Sequence, residues 1–375
     1  MNQRDIKMFT PTTVVLILIM AVGAVAAFYR LFFGLGASTH LNDVWPWGLW
    51  ISFDVLGGVA MAAGGFVIGG TVYILNWKKY EPIVRPALLN AFFGYALAAT
   101  SITLDIGVPW RIWHPLVMWQ INSIMFIVAI HVVLYTSTLA AESSPLVFEK
   151  LNMRRAFNFM EKIMPGIVLF GVLLSLLHQS SLGAVYLIAP TKLSPLWYNV
   201  KLPYMFLVSA VMLALSMVSF ETILSSRVFK HEPPMDILYG MARGSVIVIG
   251  IYFVLKMWDL FTGAGVGLAF NGSLTSNMYL LEMIIGVILP LALLLMKNVR
   301  GRLNGIFCIN VLVITGTVLN RLNVGIFGLA EYNSRMGHDY FPSWMEIVVT
   351  LAMIAFAVVG FKASVKYLNV LKLEH

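Results

Sequence analysis

The sequence predicts an all-α integral membrane protein of about ten transmembrane helices, arranged as two four-helix bundles with peripheral helices. Hydrophobic residues make up 59% of the chain and charged residues 11%, and the mean hydropathy is +0.85. A soluble domain could not present so little charge to water. Apolar runs of about 20 residues or more recur along the whole chain, with only short polar gaps between them. We therefore expect residues 1–375 to form a single polytopic membrane domain.

The helix boundaries follow from the thickness of a bilayer, whose core of about 30 Å needs about 20 helical residues to cross it. The first apolar run is expected to be a retained helix, because no small-residue cleavage site and soluble region follow it. Nine helices are the alternative count, since boundaries of this kind shift by several residues. The ten predicted helices span residues 11–35, 47–76, 84–106, 117–141, 163–189, 202–226, 235–262, 276–297, 302–322 and 343–368.

The basic residues predict the orientation of the chain. Lys and Arg number 25 against 17 acidic residues, and they are concentrated at the N-terminus, in the even-numbered loops and at the C-terminus. The positive-inside rule places these segments, and with them both termini, in the cytoplasm. Nucleic-acid binding is not expected, because the basic residues do not form one amphipathic face. The charges that define this side are Arg4, Lys7, Lys78, Lys79, Arg85, Lys150, Arg154, Arg155, Lys162, Arg227, Lys230, Lys297, Arg300, Arg302, Lys362, Lys366 and Lys372.

Tryptophans and glycines give two further expectations. Tryptophans near the opposite helix ends predict an aromatic belt at the outer membrane surface. Six glycines of the second helix, between Gly57 and Gly70, predict that neighbouring helices approach it closely. The tryptophans assigned to the belt are Trp45, Trp47, Trp50, Trp110, Trp113, Trp119, Trp197 and Trp344.

Ionisable residues at membrane depth are the main functional candidates, since each costs several kcal/mol unless it is paired, hydrated or neutral. Glu221 and Arg243 lie in the inner third, where the alternatives are a structural ion pair and proton uptake from the cytoplasm. Glu142 lies at the cytoplasmic surface, and His131 lies near the middle of its helix. The outer third holds Asp54, Asp105, His178, Lys256, Asp259, Glu282 and Arg321. Of these, Lys256, Asp259 and Glu282 are expected to form a charge cluster that satisfies itself.

Three residues of the first half have no evident charge partner. Asp54, His131 and His178 come from three helices, and a pocket lined by them would suit a quinone. Each quinone carbonyl needs a hydrogen-bond partner that delivers or takes a proton as electrons arrive. The alternative for His178 is a satisfied packing histidine. For His131, flanked by Ile130 and Val132, the packing interpretation is favoured and a proton relay is the alternative.

Three segments resemble the NrfD or polysulfide-reductase-type family of membrane subunits, and in particular its HybB-like branch. They are "WPWGLWISFDVLGGVAMAAGGFVIGG" at 45–70, "VPWRIWHPLVMWQINSIMF" at 108–126 and "LHQSSLGAVYLIAP" at 177–190. The resemblance implies a quinone-interacting anchor, with menaquinone favoured, that exchanges electrons with a ferredoxin-like four-iron cluster subunit on the periplasmic side. Hydrogenase, a molybdenum enzyme or a multihaem cytochrome c would complete such a complex.

The resemblance also implies roles for individual residues. The quinone pocket near the outer face would use Asp54, Asp105 and His178, and the loop with Arg111 and His114 would lie close to the partner's cluster. Buried acids couple quinone chemistry to proton movement in proposals for this family. Glu142 and Glu221 would be the acids of this chain, and His131 and Arg243 would complete the predicted proton pathway.

No redox centre or metal site is expected in the chain itself. Cys308 is the only cysteine, which excludes cysteine-ligated iron-sulfur clusters within this chain. A b-type haem needs two axial ligands at one depth, whereas His131 and His178 are predicted to differ in depth by about 6 Å. Two other function classes remain alternatives, a secondary transporter and a purely structural membrane anchor.

Overall fold

The computed structural model describes residues 6–371, so Arg4 and Lys372 of the orientation signal lie outside the described residues. Between residues 6 and 371 the regular secondary structure is entirely helical, and ten helices are long and apolar enough to span a membrane. The predicted all-α class and the count of ten are therefore confirmed. The helices are α1 Pro11–Phe33, α2 Trp50–Tyr73, α3 Lys78–Asp105, α4 Ile124–Lys150, α5 Arg154–Ile188, α6 Leu202–Phe229, α7 Met235–Gly263, α8 Leu274–Leu295, α9 Leu303–Arg335 and α10 Trp344–Tyr367.

The largest differences from the predicted boundaries are at α4, α5 and α9. The α4 helix begins at Ile124 and continues to Lys150, and α5 begins at Arg154, so only residues 151–153 join them. The α9 helix continues to Arg335 instead of ending at 322. Sequence reasoning ended the fourth helix before Glu142 and began the fifth after Lys162, but Glu, Lys and Arg are good helix formers and allow a helix to continue beyond the bilayer core. As a result, Glu142 lies inside α4 and is buried, not at the surface.

Four of the membrane helices contain a segment of π-helix, a rare geometry with one extra residue in the turn. Each segment contains a buried ionisable residue or begins within two residues of one. The residues concerned are Asp54, Asp259, Glu282 and Arg321. The π segments are Trp50–Val55 in α2, Leu260–Ala264 in α7, Ile284–Ile288 in α8 and Asn323–Phe327 in α9.

Helix α2 is the most buried of the ten membrane helices. A Cβ added at Gly64 would lie 2.5 Å from Val218 Cγ2 of α6, and one added at Gly65 would lie 2.6 Å from Ala91 Cβ of α3. These distances are shorter than van der Waals contact, so only glycine allows the neighbouring helices to come this close. The close approach predicted for the second helix is thus confirmed at these two positions.

The helices form one packed assembly in which α1 pairs with α10 at the periphery. Contacts are extensive among α2, α3, α4 and α5, and among α6, α7, α8 and α9. Helices α5 and α2 also pack against α6, and α9 packs against α2. The division into two four-helix bundles therefore remains a prediction, because the contacts continue across the expected boundary.

We call the end of the assembly that carries the loops after α1, α3, α5, α7 and α9 the outer end. Shorter helices lie in or beside these and the opposite loops, at Leu35–Ser38, Pro109–Arg111, His114–Val117, Val266–Ala269 and Lys297–Arg300. Three tryptophans assigned to an outer belt are instead buried in the core. Their burial is tolerated because each indole N–H has a hydrogen-bond acceptor. Trp45 donates to His338 O, Trp50 to Glu346 O and Trp197 to Glu282 Oε2. By contrast, Trp110, Trp113, Trp119 and Trp344 are exposed, as a belt requires.

Candidate functional site

Two buried acids, Asp54 and Glu346, and the half-buried Asp105 lie near the outer end, and we call these three residues the outer acid group. Asp54 lies in the π segment of α2, and its Oδ2 accepts a hydrogen bond of 2.7 Å from Thr350 Oγ1 of α10. Glu346 lies one turn before Thr350 on α10. Asp105 is the last residue of α3 and interacts electrostatically with Glu346. Helices α2, α3 and α10 thus bring the three acids together.

Glu346 is held by the start of its own helix. Ser343 and Glu346 form a capping box, in which each side chain accepts a hydrogen bond from the other residue's backbone N–H. The Tyr340 hydroxyl donates to Glu346 Oε1 and accepts from Leu49 N at 2.8 Å. Burial, and then the negative charge of Glu346, raise the pKa of Tyr340, so this hydroxyl stays a proton donor. The loop before α10 is therefore fastened to the loop before α2.

Arg30 of α1 positions the residue that ends α3. Its guanidinium is buried and donates to the carbonyl oxygens of Leu104 and Ile106, on either side of Asp105. A cation at this place satisfies carbonyls that the end of a helix leaves free. Arg30 also interacts electrostatically with Asp105 itself. The peripheral α1 helix therefore contributes directly to the outer acid group.

Beside the outer acid group lie buried oxygens that have no hydrogen-bond partner. They are Ser52 Oγ, the Tyr186 hydroxyl and Asp105 Oδ1. A Cβ added at Gly325 of α9 would collide with Ser52 Oγ and would lie 3.1 Å from the Tyr186 hydroxyl, so both oxygens border this glycine. Tyr186 also interacts electrostatically with Asp105. Because buried polar atoms are almost always paired, this group fits a ligand with hydrogen-bonding oxygens or ordered water.

His178 belongs to a different group of side chains, deeper in α2–α5. Its ring is fully buried, 5.9 Å from the His131 ring and 5.6 Å from the Tyr95 ring, measured between centroids. Neither ring nitrogen of His178 has a hydrogen-bond partner among the described side chains, so both are open to a ligand or to ordered water. Asp54 bonds to Thr350, whereas His178 contacts the rings of His131 and Tyr95. A single pocket lined by Asp54 and the two histidines therefore stays a prediction.

A line of polar side chains leads from His178 towards the inner end, and we call it the histidine–tyrosine track. The ring centroids of Tyr95 and Tyr135 are 4.5 Å apart, and neither hydroxyl has a hydrogen-bond partner. Tyr135 interacts electrostatically with Glu142. A Cβ added at Gly171 of α5 would lie 2.7 Å from Glu142 Oε1 and 3.5 Å from Tyr135 Cε2, so the carboxyl and the phenol border one glycine. The track therefore connects His178 with Glu142.

Glu221 lines a cavity of about 300 Å³ at the inner end of the helices. The cavity lies between the start of α3, the last turns of α6 and α10, and the loop that contains His231 and Glu232. The expected ion pair between Glu221 and Arg243 does not form, because their charged atoms are more than 4 Å apart and Arg243 is exposed. Glu221 thus faces a cavity and not a counter-charge.

The second half contains a buried charge network centred on Glu282 of α8. Its Oε1 lies 2.9 Å from Lys256 Nζ of α7 and also accepts a hydrogen bond from Asn320. Its Oε2 accepts hydrogen bonds of 2.8 Å from Trp197 and Asn323. Asp259 interacts with Lys256 and with Lys201 of the outer loop. The pairing of Lys256 with Glu282 is confirmed, but the cluster is not satisfied by its own members. Trp197, Asn320 and Asn323 complete the hydrogen bonding of Glu282, and Asp259 forms no direct ion pair with any described residue.

The loop residues Arg111 and His114 lie apart from both polar groups. Arg111 is exposed at the end of the short helix Pro109–Arg111. His114 starts the helix His114–Val117, and its ring stacks edge-on against Trp113, with centroids 4.4 Å apart. Both residues are in the loop between α3 and α4 at the outer end, where the sequence predicts a partner subunit. Neither residue contacts the polar groups inside the helix assembly described above.

Several residues of these sites were missed from the sequence. Arg30 met the criterion used for the others, since it is an ionisable residue about 20 positions into the first apolar run. Glu346 was marked by the capping-box spacing from Ser343. Nothing in the local sequence marks Tyr95, Tyr135 or Tyr186, because tyrosine is common in membrane helices. Their buried, unpartnered hydroxyls can be recognised only once the helices are packed together.

The rings of the two membrane-helix histidines, His131 and His178, pack against each other with their centroids 5.9 Å apart. His178 is completely buried, so a porphyrin bound at its ring would have to displace the side chains packed around it. The described residues also contain no group of three or more His, Cys, Asp or Glu side chains placed to hold a metal ion. That this chain carries no haem stays a prediction, which optical spectroscopy tests.

Comparison with known proteins gives a family match over most of the chain. The model of the family described as polysulphide reductase, NrfD, matches residues 36–331. The probable Ni/Fe-hydrogenase 2 b-type cytochrome subunit of Escherichia coli is 30% identical over 98% of this chain and 92% of that protein. The integral membrane subunit of menaquinone reductase from Nitratidesulfovibrio vulgaris is 27% identical over 94% and 89%. A further protein of N. vulgaris is 36% identical over 93% and 91%.

Proposed function

We propose that this chain, which belongs to the NrfD family, is the quinone-interacting membrane subunit of a respiratory oxidoreductase complex. It would exchange electrons between a partner iron-sulfur protein at the outer end and the quinone pool of the bacterial inner membrane. The relatives named for hydrogenase and for menaquinone reductase support an oxidoreductase complex, and the second of these names supports menaquinone. The partner subunits would carry the redox centres and act on the other substrate.

The observation that carries this proposal is the set of partnerless buried oxygens beside the outer acid group. A quinone presents two carbonyl oxygens that accept hydrogen bonds and require protons on reduction. The Tyr186 hydroxyl and Ser52 Oγ can donate to such oxygens, and Asp105 can hold or release a proton. A quinone supplies the two-electron chemistry when bound, and the residues of this chain bind it, orient it and move protons. Asp54 and His178 would act around this place, Asp54 through Thr350 and His178 through the histidine–tyrosine track.

The experiment is to replace the acids in the intact complex and to measure two activities. Asp54→Asn and Asp105→Asn are expected to lower quinone turnover by roughly two orders of magnitude, which is typical for loss of a positioned acid or base. Electron transfer from the partner to an artificial dye should persist, because it does not need the quinone site. His178→Ala is expected to impair quinone turnover in the same way.

Asp236→Asn is the matched control, since Asp236 is an exposed residue in the first turn of α7. Normal quinone turnover in Asp54→Asn and Asp105→Asn together would show that the site is placed wrongly. Loss of quinone turnover in variants that assemble and keep dye reduction would exclude a purely structural anchor. Substrate transport without any redox partner would favour the transporter alternative.

We further propose that the histidine–tyrosine track carries protons between the inner end and the quinone site. The Tyr95 and Tyr135 hydroxyls and the His178 imidazole lack partners in a buried environment, as expected where water molecules complete a proton path, whereas His131 contacts Ser181 at 3.4 Å. Glu142 would form the inner end of the track, and Glu221 would take up protons from its cavity at the same side. His131 would act as a relay beside His178. Arg243 would act at most through the surface potential, because it is exposed.

This second proposal is tested in vesicles that contain the complete complex. Glu142→Gln should abolish proton movement per electron transferred while slowing quinone turnover less, since the carboxyl is distant from the outer acid group. Glu161→Gln, at an exposed position of α5, is the control. An unchanged ratio of protons to electrons in Glu142→Gln would refute the track.

The partner is proposed to dock at the outer end, on the loop that contains Arg111 and His114. Large exposed aromatic residues at this loop, Trp110 and Trp119 among them, are typical of an interface or of a membrane-surface belt. Crosslinking from position 111 distinguishes the two, because only a docked subunit gives a protein adduct. Accessibility of the same position from the periplasm would also test the orientation with both termini in the cytoplasm.

A further inference from the structure

Arg321 of α9 is a buried cation whose charge the surrounding residues do not neutralise. Its side chain is 1% exposed. One terminal nitrogen donates to Asn320 Oδ1 at 2.7 Å, and the other donates to Ser209 Oγ at 2.8 Å and to Phe206 O at 3.2 Å. The guanidinium also lies over the Phe206 ring, 3.7 Å from its centroid. These partners are neutral, and Nε has none.

The nearest buried carboxylate is already neutralised by another cation. Glu282 lies 2.9 Å from Lys256, and its hydrogen-bonded link to Arg321 runs through Asn320, which donates to Glu282 and accepts from Arg321. Asp259, the second buried carboxylate of this network, also interacts with Lys256, so Arg321 is the cation that lacks a direct carboxylate partner and interacts with Glu282 only at longer range. An unpaired charge at membrane depth costs several kcal/mol, so a stable fold needs a counter-charge nearby at least part of the time.

The surroundings of Arg321 indicate the place of that counter-charge. Arg321 interacts electrostatically with Tyr186, whose hydroxyl has no hydrogen-bond partner. One turn further along α9, Gly325 borders both the Tyr186 hydroxyl and Ser52 Oγ. The partnerless oxygens of the proposed quinone site thus lie between Arg321 on one side and Asp105 on the other. One side of the site is cationic and the other is acidic.

We infer that Arg321 makes this site selective for a ligand with an anionic, phenolate-type oxygen, which binds on the Tyr186 and Ser52 side. This inference rests on the proposed quinone function and adds to it a residue from the second half of the chain. Arg321 acts as a positioning residue, because it reaches the ligand through the Tyr186 hydroxyl. The positive charge lowers the free energy of the deprotonated ligand oxygen, and Tyr186 donates its hydrogen bond to that oxygen.

The inference is tested by binding two ligands of nearly equal shape to the purified complex. 2-Hydroxy-1,4-naphthoquinone is an anion at neutral pH, because its hydroxyl is a vinylogous carboxylic acid, whereas 2-methoxy-1,4-naphthoquinone is neutral. Wild-type complex should bind the anion more tightly than the ether. Arg321→Gln should weaken binding of the anion at least tenfold, about 1.4 kcal/mol, and change binding of the ether by less than about twofold. Arg321→Lys keeps the charge and should keep the preference.

Controls separate this inference from the proposed function. Arg335→Gln removes an exposed charge at the end of the same helix and should leave both affinities unchanged. If Arg321→Gln does not assemble, Tyr186→Phe tests the same contact and should weaken binding of the anion more than binding of the ether. Failure of wild-type complex to bind either ligand would refute the quinone site itself. Binding of both ligands with equal losses, or no losses, in these variants would overturn only the role of Arg321.

The remaining outcome concerns the identity of the natural anion. If the counter-charge of Arg321 is chloride, preference for the anionic ligand should vanish in chloride buffer and return in gluconate buffer. That result would overturn the inference of a phenolate-type ligand. A preference that is equal in the two buffers supports it.

Discussion

Breaking the buried ion pair between Lys256 and Glu282 should be among the most destabilising single changes in this protein. Lys256→Met leaves the Glu282 carboxylate with three neutral donors and no cation within reach of a direct ion pair. Removal of one partner of a buried ion pair costs about 3–5 kcal/mol, because the remaining charge stays buried. We therefore expect the free energy of unfolding to fall by about that amount.

A double-mutant cycle isolates the pair from its surroundings. In Lys256→Met with Glu282→Gln, both members of the ion pair are neutral, but Asp259 loses the nearby charge of Lys256 and the amide nitrogen replaces an oxygen that accepted hydrogen bonds. The double variant should therefore be less destabilised than the sum of the single variants by about 2–3 kcal/mol, and should still be weaker than wild type. The free energies can be measured by unfolding in a denaturing detergent, followed by tryptophan fluorescence.

The pair Arg335 and Glu331 provides the control cycle at the end of α9. Its side chains are 75% and 48% exposed, so its coupling energy should be about 0.5 kcal/mol or less. Additive effects of Lys256→Met and Glu282→Gln, or a coupling as small as that of the control pair, would refute the reasoning. Glu282 would then be stabilised mainly by its neutral donors.

Three further changes test other parts of the structure. Gly325→Ala should destabilise the protein by about 1–3 kcal/mol and weaken binding of quinone analogues, because the new methyl group collides with Ser52 Oγ; Gly250→Ala, where a Cβ meets no atom within 4 Å, should do neither. Tyr340→Phe should cost about 1–3 kcal/mol and should increase proteolysis of the outer loops, since Glu346 and the Leu49 N–H each lose a buried partner. The reduced optical spectrum of this chain is expected to lack the α-band of a b-type haem, and a band lost on replacing His178 would contradict that expectation.

The sequence was sufficient to predict the class of the fold and most of its helices, because bilayer thickness sets a simple length criterion. It was not sufficient where a helix continues past a charged residue. Glu142, for example, lies within α4, although the predicted helix ended before it. The partnership of Asp54 with Thr350 joins residues 296 positions apart, and no local pattern predicts such a contact. The sequence also predicts one pocket for Asp54 and His178. In the structure Asp54 bonds to Thr350, whereas His178 contacts the rings of Tyr95 and His131.

The prediction succeeded best where charges were close in the chain. Lys256 and Asp259 share a helix face and Glu282 lies on the next helix, so their cluster could be expected from spacing alone. Arg321 was assigned to the same region, but its lack of a direct carboxylate partner could not be predicted. That lack becomes apparent only when Asn320 is found between Arg321 and Glu282.

The π segments give the two ends of the molecule different tolerance to change. One extra residue in a turn rotates every side chain beyond it by about 100° about the helix axis, compared with a regular helix. The direction in which the side chains at each outer helix end point therefore depends on that residue. Deleting Ile285 would restore regular winding in α8 and would turn Glu282 away from Lys256 without altering any charged residue. Chain length within these four turns is therefore itself under constraint at the outer end, whereas insertions in the inner loops, which lie beyond regular helix, would leave the buried network as it is.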